Sequence, residues 1–189
     1  MNSQNRNNRA LTGALRLALA AAVATVSVAH AADKPSKFVL TAFAASAGGP
    51  EIASGSFDGA VDAIARKSKA PGADLTALKT NECIAYAMKA DFAAAHSSCS
   101  AAIYEAHRDL VLQSGAHLWD RQLYSEYLAI AYSNRAVVDW LQKDSASAAQ
   151  DLASANDMSP QGAYVSQNLS ALHSPHENTV AQVAVTPKS

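Results

Sequence analysis

Apolar positions recur three and four apart, or at sums of those steps, along most of the chain, as at Ala148, Leu152 and Ala155, or at Tyr86, Phe92, Ala95 and Ala102. That spacing lines one face of an α-helix, and the valine-rich alternation of a strand is missing from the interior. Breakers punctuate the pattern at Gly48-Gly49-Pro50, Pro71-Gly72, Ser114-Gly115 and Pro160-Gln161-Gly162. The pattern predicts an all-α fold of short, Ala-rich helices, each packed through one stripe.

The first thirty residues follow a different rule. A polar head with Arg6 and Arg9 precedes an apolar stretch from Leu17 to Val28 and then Ala29-His30-Ala31. This is the three-part layout of a secretory signal, with cleavage expected after Ala31. The apolar stretch is shorter than the ~20 residues that span a bilayer, so an uncleaved anchor is the weaker alternative. A lipoprotein would need a cysteine where Ala32 stands. The expected division is therefore a signal peptide over 1–31, a lead-in over 32–47, a helical domain over 48–172 and a mobile tail over 173–189. The expected location is the periplasm or the exterior, with no membrane span left after cleavage.

Internal repetition sharpens the fold. One unit runs from Ser133-Asn134-Arg135-Ala136 through Trp140-Leu141 and Lys143-Asp144 to Ala148, Leu152, Ala155 and Pro160. A second runs through Asn81-Glu82-Cys83, Tyr86, Asp91-Phe92, Ala95, Cys99 and Ala102, and a weaker third holds Gly55, Phe57, Ala60 and Ile64. Phe57 and Phe92 are 35 residues apart, but Phe92 and its match Ser145 are 53 apart. The extra residues, about His107 to Leu128, are apolar at helical spacing and are expected to lengthen two helices. Residues 163–172 supply a closing half unit.

These units resemble tetratricopeptide repeats, whose period is about 34 residues. The resemblance covers about Gly48 to Leu172 and implies stacked antiparallel helix hairpins, an α-solenoid of about three and a half units. The chain departs from the family where large apolar residues are expected early in the first helices, since Lys79, Glu82 and Arg135 stand there. An irregular Ala-rich bundle is the alternative. The family's concave groove is lined by the first helices, and overlay puts Asn81, Asn134 and Asn168 at one place in successive units. Such asparagines resemble those that hold an extended peptide's backbone in some members; an amide both donates and accepts, whatever the ligand's side chain. Thr80, Ile84, Met88, Ser133, Val137, Trp140 and Leu141 would form the surrounding groove. A purely structural role is the competing reading. On the binding role, replacing Asn134 and Asn168 by Ala is expected to weaken capture with little change in stability.

Cys83 and Cys99 are an even pair in a chain expected to reach an oxidising compartment, so a structural disulfide is expected. Two unpaired thiols, or a three-ligand metal site with His96, are the alternatives. Removing residues 1–31 leaves 12 basic against 16 acidic residues, a formal charge of −4. No basic stripe is present for nucleic acid or anionic lipid. No nucleophile elbow, zinc-binding helix motif or phosphate loop appears, and His96, His107 and His117 are scattered. His173 and His176 flank Pro175 in the polar tail. Trp119, Tyr124, Tyr127 and Tyr132 are expected to fill a core between the lengthened helices, a binding patch being the alternative. The reading is a non-catalytic exported module, without cofactor or metal, that binds a protein or peptide in its groove. Self-association as an envelope scaffold is the alternative, and an enzyme or metal protein with an unrecognised site the remote one.

Overall fold

The computed structural model describes residues 37–112, 118–174 and 182–186, all within one compact unit, Asp33–Ser189. The expected signal segment lies outside the described residues. Those residues hold seven helices and two short strands: β1 (Val39–Phe43), α1 (Gly49–Ala53), α2 (Phe57–Lys67), α3 (Leu75–Met88), α4 (Phe92–Leu112), α5 (Leu118–Leu141), α6 (Ser145–Met158), α7 (Ala163–His173) and β2 (Gln182–Thr186). The fold is mostly helical, as the periodicity predicts. None of the described helices is long and apolar enough to cross a membrane.

Local signals explain the boundaries. Asp74 caps α3 by accepting from the Ala77 amide at 3.0 Å, and Asp144 caps α6 by accepting from Ser147 at 3.0 Å. Each occupies an otherwise orphan donor of the first turn. Pro50 opens α1, where its missing N–H costs nothing. Gly48, before it, has φ 85°, and a Cβ there would lie 2.6 Å from Ile64 Cδ1. The α4 and α5 helices, 21 and 24 residues long, hold the described part of the inserted sequence, against 14 residues each for α3 and α6.

Consecutive helices pack against each other from α1 to α7, and the odd-numbered ones, α1, α3, α5 and α7, also touch in turn. The α3/α4 and α5/α6 pairs are near copies at an offset of 53 residues. Ala90 and Lys143 both take φ near +60°, closing α3 and α5 alike. The Asp91 amide bonds the Tyr86 carbonyl at 3.0 Å and the Ala90 amide that of Ala87 at 3.0 Å; Asp144 to Asp139 (2.9 Å) and Lys143 to Trp140 (2.9 Å) repeat the pattern. This is a Schellman closure in which the residue after the left-handed one, Asp91 or Asp144, also caps the next helix. Ala95 and Ala102 in α4 are fully buried, as are Ala148 and Ala155 in α6.

Two segments differ from expectation. The lead-in contains β1 and the tail contains β2, and the strands pair in parallel, Val39 opposite Gln182 through Phe43 opposite Thr186. Both faces of β1 are buried, so it reads as a short apolar run without alternation. The side chains that bond its backbone lie on distant helices.

Candidate functional site

The site begins with three amides on three helices. Asn81 on α3, Asn134 on α5 and Asn168 on α7 are at most 1% exposed, and all three point at β1. Asn168 Oδ1 accepts from the Val39 amide at 2.7 Å while its Nδ2 donates to the Val39 carbonyl at 2.9 Å. Asn134 does the same to Thr41 (2.8 and 3.0 Å), and Asn81 to Phe43 (2.8 and 3.0 Å). Each side chain replaces one peptide group of a neighbouring strand. Alternate residues of extended chain are about 6.6 Å apart, so the ladder presents its amides at the pitch of a β-strand.

Two of the three amides make a further bond. Asn168 Nδ2 donates to Ser133 Oγ at 2.9 Å, and Asn81 Nδ2 to the Ala47 carbonyl at 3.1 Å. Gln167 Nε2 extends the row outward to the Lys37 carbonyl at 3.0 Å. The opposite edge of β1 faces β2, where the Gln182 amide reaches the Phe38 carbonyl at 2.8 Å.

The groove residues expected from the sequence come together around the same strand. Ile84 and Val137 are fully buried, and Met88, Trp140 and Leu141 pack against a cluster that contains Phe38, Leu40 and Ala42. The Phe38 and Trp140 rings lie 4.5 Å apart. On the other flank Phe43 meets Tyr127 edge-on at 4.7 Å, and Tyr127 meets Tyr124 at 6.2 Å. Of the two hydroxyl positions, Ser133 joins the ladder, while Thr80 bonds back to the Thr76 carbonyl at 2.8 Å.

Burial corrects one expectation. Replacing Asn134 or Asn168 by Ala cannot leave stability unchanged, because each removal strands a buried peptide N–H and C=O. The sequence reading also missed what the three amides hold. Phe38 to Phe43, with β-branched residues at Val39 and Thr41 between two aromatics, was the available signal.

Cys83 on α3 and Cys99 on α4 lie at disulfide-bonding distance, with Cα atoms 5.0 Å apart, inside the range a disulfide accepts. Their equivalents 53 residues on, Ala136 and Leu152, pack together in a small apolar cluster. The neighbouring pairs diverge as well: Glu82 accepts from Ser98 at 3.1 Å, whereas Arg135 grips Asp151 with two bonds of 2.6 and 2.9 Å. His96 turns away from the cysteines, its Nε2 3.4 Å from Asp139 Oδ1. Burial pushes the Asp139 carboxyl above the ordinary range, and His96 pulls it back in part. No group of three or more His, Cys, Asp or Glu side chains suited to a metal occurs among the described residues.

A recess of about 230 Å³ opens just beyond the end of β1, lined by Phe43, Ala44, Lys67, Asp74, Leu78 and Tyr127 among others. Burial, then the nearby Asp74 carboxylate, raises the Tyr127 phenol. Asp74 also caps α3 through the Ala77 amide. Compared with known proteins, the chain matches no family model, no curated protein and no solved structure.

Proposed function

We propose that this chain is an exported, non-catalytic interaction module of tetratricopeptide type, whose helices form an α-solenoid with a groove for an extended polypeptide. One observation carries the reading: three buried asparagines on α3, α5 and α7 each hold one residue of an extended segment by both its N–H and its C=O. Such contacts are blind to side chains and constitute a general receptor for extended backbone. Export fits the basic, apolar and small-residue segments of 1–31, and the paired cysteines fit an oxidising compartment. The partner would be a protein or peptide whose extended segment takes the place of β1.

The test is a crosslinked pull-down from cell envelopes with tagged protein and the Asn134→Ala/Asn168→Ala variant, run below the variant's melting point. A partner retained by the parent and lost by the folded variant supports the groove; equal retention by both overturns it.

A second reading, self-association, draws on α4 and α5, where Tyr104, Val111 and Leu112 are 67%, 55% and 71% exposed and Leu123 is 41% exposed. Large apolar side chains left in water favour contact with another surface. Sedimentation of the mature chain over a wide concentration range decides it: a constant monomer mass eliminates this reading.

A further inference from the structure

β1 is a ligand that the chain supplies to itself, and one of its atoms is badly placed. Phe38 through Ala42 are each at most 6% exposed, with Phe38 and Leu40 among the largest fully buried side chains. The asparagines hold Val39, Thr41 and Phe43, and β2 lies along the opposite edge. The exception is the Thr41 hydroxyl. Thr41 is 2% exposed, and its Oγ1 has no hydrogen-bond partner among the described residues.

A buried hydroxyl without a partner loses its water and gains nothing in return, whereas a methyl group of the same shape would gain from the same burial. Valine keeps the β-branch that suits a strand and removes the hydroxyl. The resident strand is therefore a weaker ligand than its own groove allows. Because the asparagine contacts ignore side chains, any preference among extended segments must come from the walls. There Trp140 receives Phe38, and Ala42 sits where burial is complete.

We propose that β1 is a replaceable occupant weakened at Thr41, and that the groove fits an extended polypeptide segment carrying an aromatic, a branched aliphatic, a valine and a small residue at the places of Phe38, Leu40, Thr41 and Ala42. Its N-terminal end lies at α7 and its C-terminal end at α3, the direction β1 takes. The proposal rests on the peptide-groove reading above. β1 then acts as a built-in competitor: a segment without the matching pattern cannot displace it, and one with valine at the Thr41 place has the advantage.

The experiment uses the full chain with a protease site inserted after the exposed Ala45, cut after folding. Two fluorescent peptides are compared by anisotropy, one of residues 37–43 and one with Thr41→Val. Both are expected to exchange into the nicked protein, the valine peptide binding about tenfold tighter, the effect expected of relieving one unsatisfied buried hydroxyl. A peptide with Leu40→Asp is expected not to bind. Equal affinity of the threonine and valine peptides overturns this proposal while leaving the groove reading intact. Failure of both to exchange into folded, nicked protein overturns the groove reading itself. If the nicked chain does not stay folded, the uncut Thr41→Val variant decides, since an unchanged or lower melting temperature overturns the weakened-strand proposal. An uncut chain that forms a dimer by exchanging β1 assigns the site to a second copy and overturns the external partner.

Discussion

Asn134 and Thr41 stand 93 residues apart in sequence and exchange two hydrogen bonds, 2.8 Å from the Thr41 amide and 3.0 Å to its carbonyl. Both residues are at most 2% exposed, so nothing in the surroundings replaces either bond when the amide is removed. Asn134→Ala is expected to cost about 2–4 kcal/mol, two net bonds plus the penalty for stranding a buried peptide group. Asn134→Asp keeps the shape and can accept from Thr41, but its ionised form cannot donate and is buried beside a carbonyl. Urea denaturation should rank Asn134→Asp at neutral pH no better than Asn134→Ala; an aspartate variant as stable as the parent refutes the bidentate role.

Ala90 ends α3 with φ 59° and Lys143 ends α5 with φ 67°. This left-handed region crowds any Cβ, at a cost of about 1–2 kcal/mol relative to glycine. Ala90→Gly is therefore expected to raise stability by roughly 0.5–1 kcal/mol, the relief being partly offset by glycine's greater freedom in the unfolded chain. Lys143→Gly should behave alike. Thermal melts of the two single variants and the double test both size and additivity.

The Cys83–Cys99 link spans a sequence separation of 16. Closing such a loop is worth about 3 kcal/mol in the chain-entropy description. Cys83→Ala/Cys99→Ala should lose that and leave a small cavity besides. Cys83→Ala/Cys99→Leu copies the Ala136 and Leu152 pair found at the equivalent place, and should recover part of the packing but none of the entropy. Melting under reducing and non-reducing conditions separates the two contributions: reduction should destabilise the parent and neither variant.

Asp139 is 4% exposed, and burial, the larger influence, raises its carboxyl above the ordinary range while His96 lowers it. Asp151 and Asp144 also raise it, and Arg135 lowers it. A raised folded value means that the folded state holds this proton more tightly than the unfolded chain does. The charged form therefore detracts from stability above the raised value, and that loss is recovered as pH falls through it toward about 4, the unfolded value. Asp139→Asn is expected to raise stability at pH 7 and to remove this contribution to the pH dependence, as read from denaturant midpoints between pH 4 and pH 7. A lower midpoint at pH 7 would show that the His96 contact outweighs burial.

Much of the helical frame was legible because it is local. Ala148, Leu152 and Ala155 recur at helical spacing and lie on the buried face of α6, and the offset of 53 between Phe92 and Ser145 anticipated the long α4 and α5. The asparagine overlay was legible for the same reason, since Asn81, Asn134 and Asn168 hold equivalent places on their helices. The turns were less so: Ala90 and Lys143 occupy positions where glycine is the usual signal, so the helix ends there are marked by Asp91 and Asp144 alone.

By itself the sequence determined the helices, their repeat and the row of amides, because periodicity and register act within one or two turns of chain. Only the tertiary structure decided what those amides hold. Val39, Thr41 and Phe43 lie 129, 93 and 38 residues from their partners, and a six-residue apolar run has no regular bonding pattern of its own to declare it a strand. Its conformation is set by donors and acceptors that are brought into line only when α3, α5 and α7 pack, because a buried peptide group must find a partner wherever the fold places one.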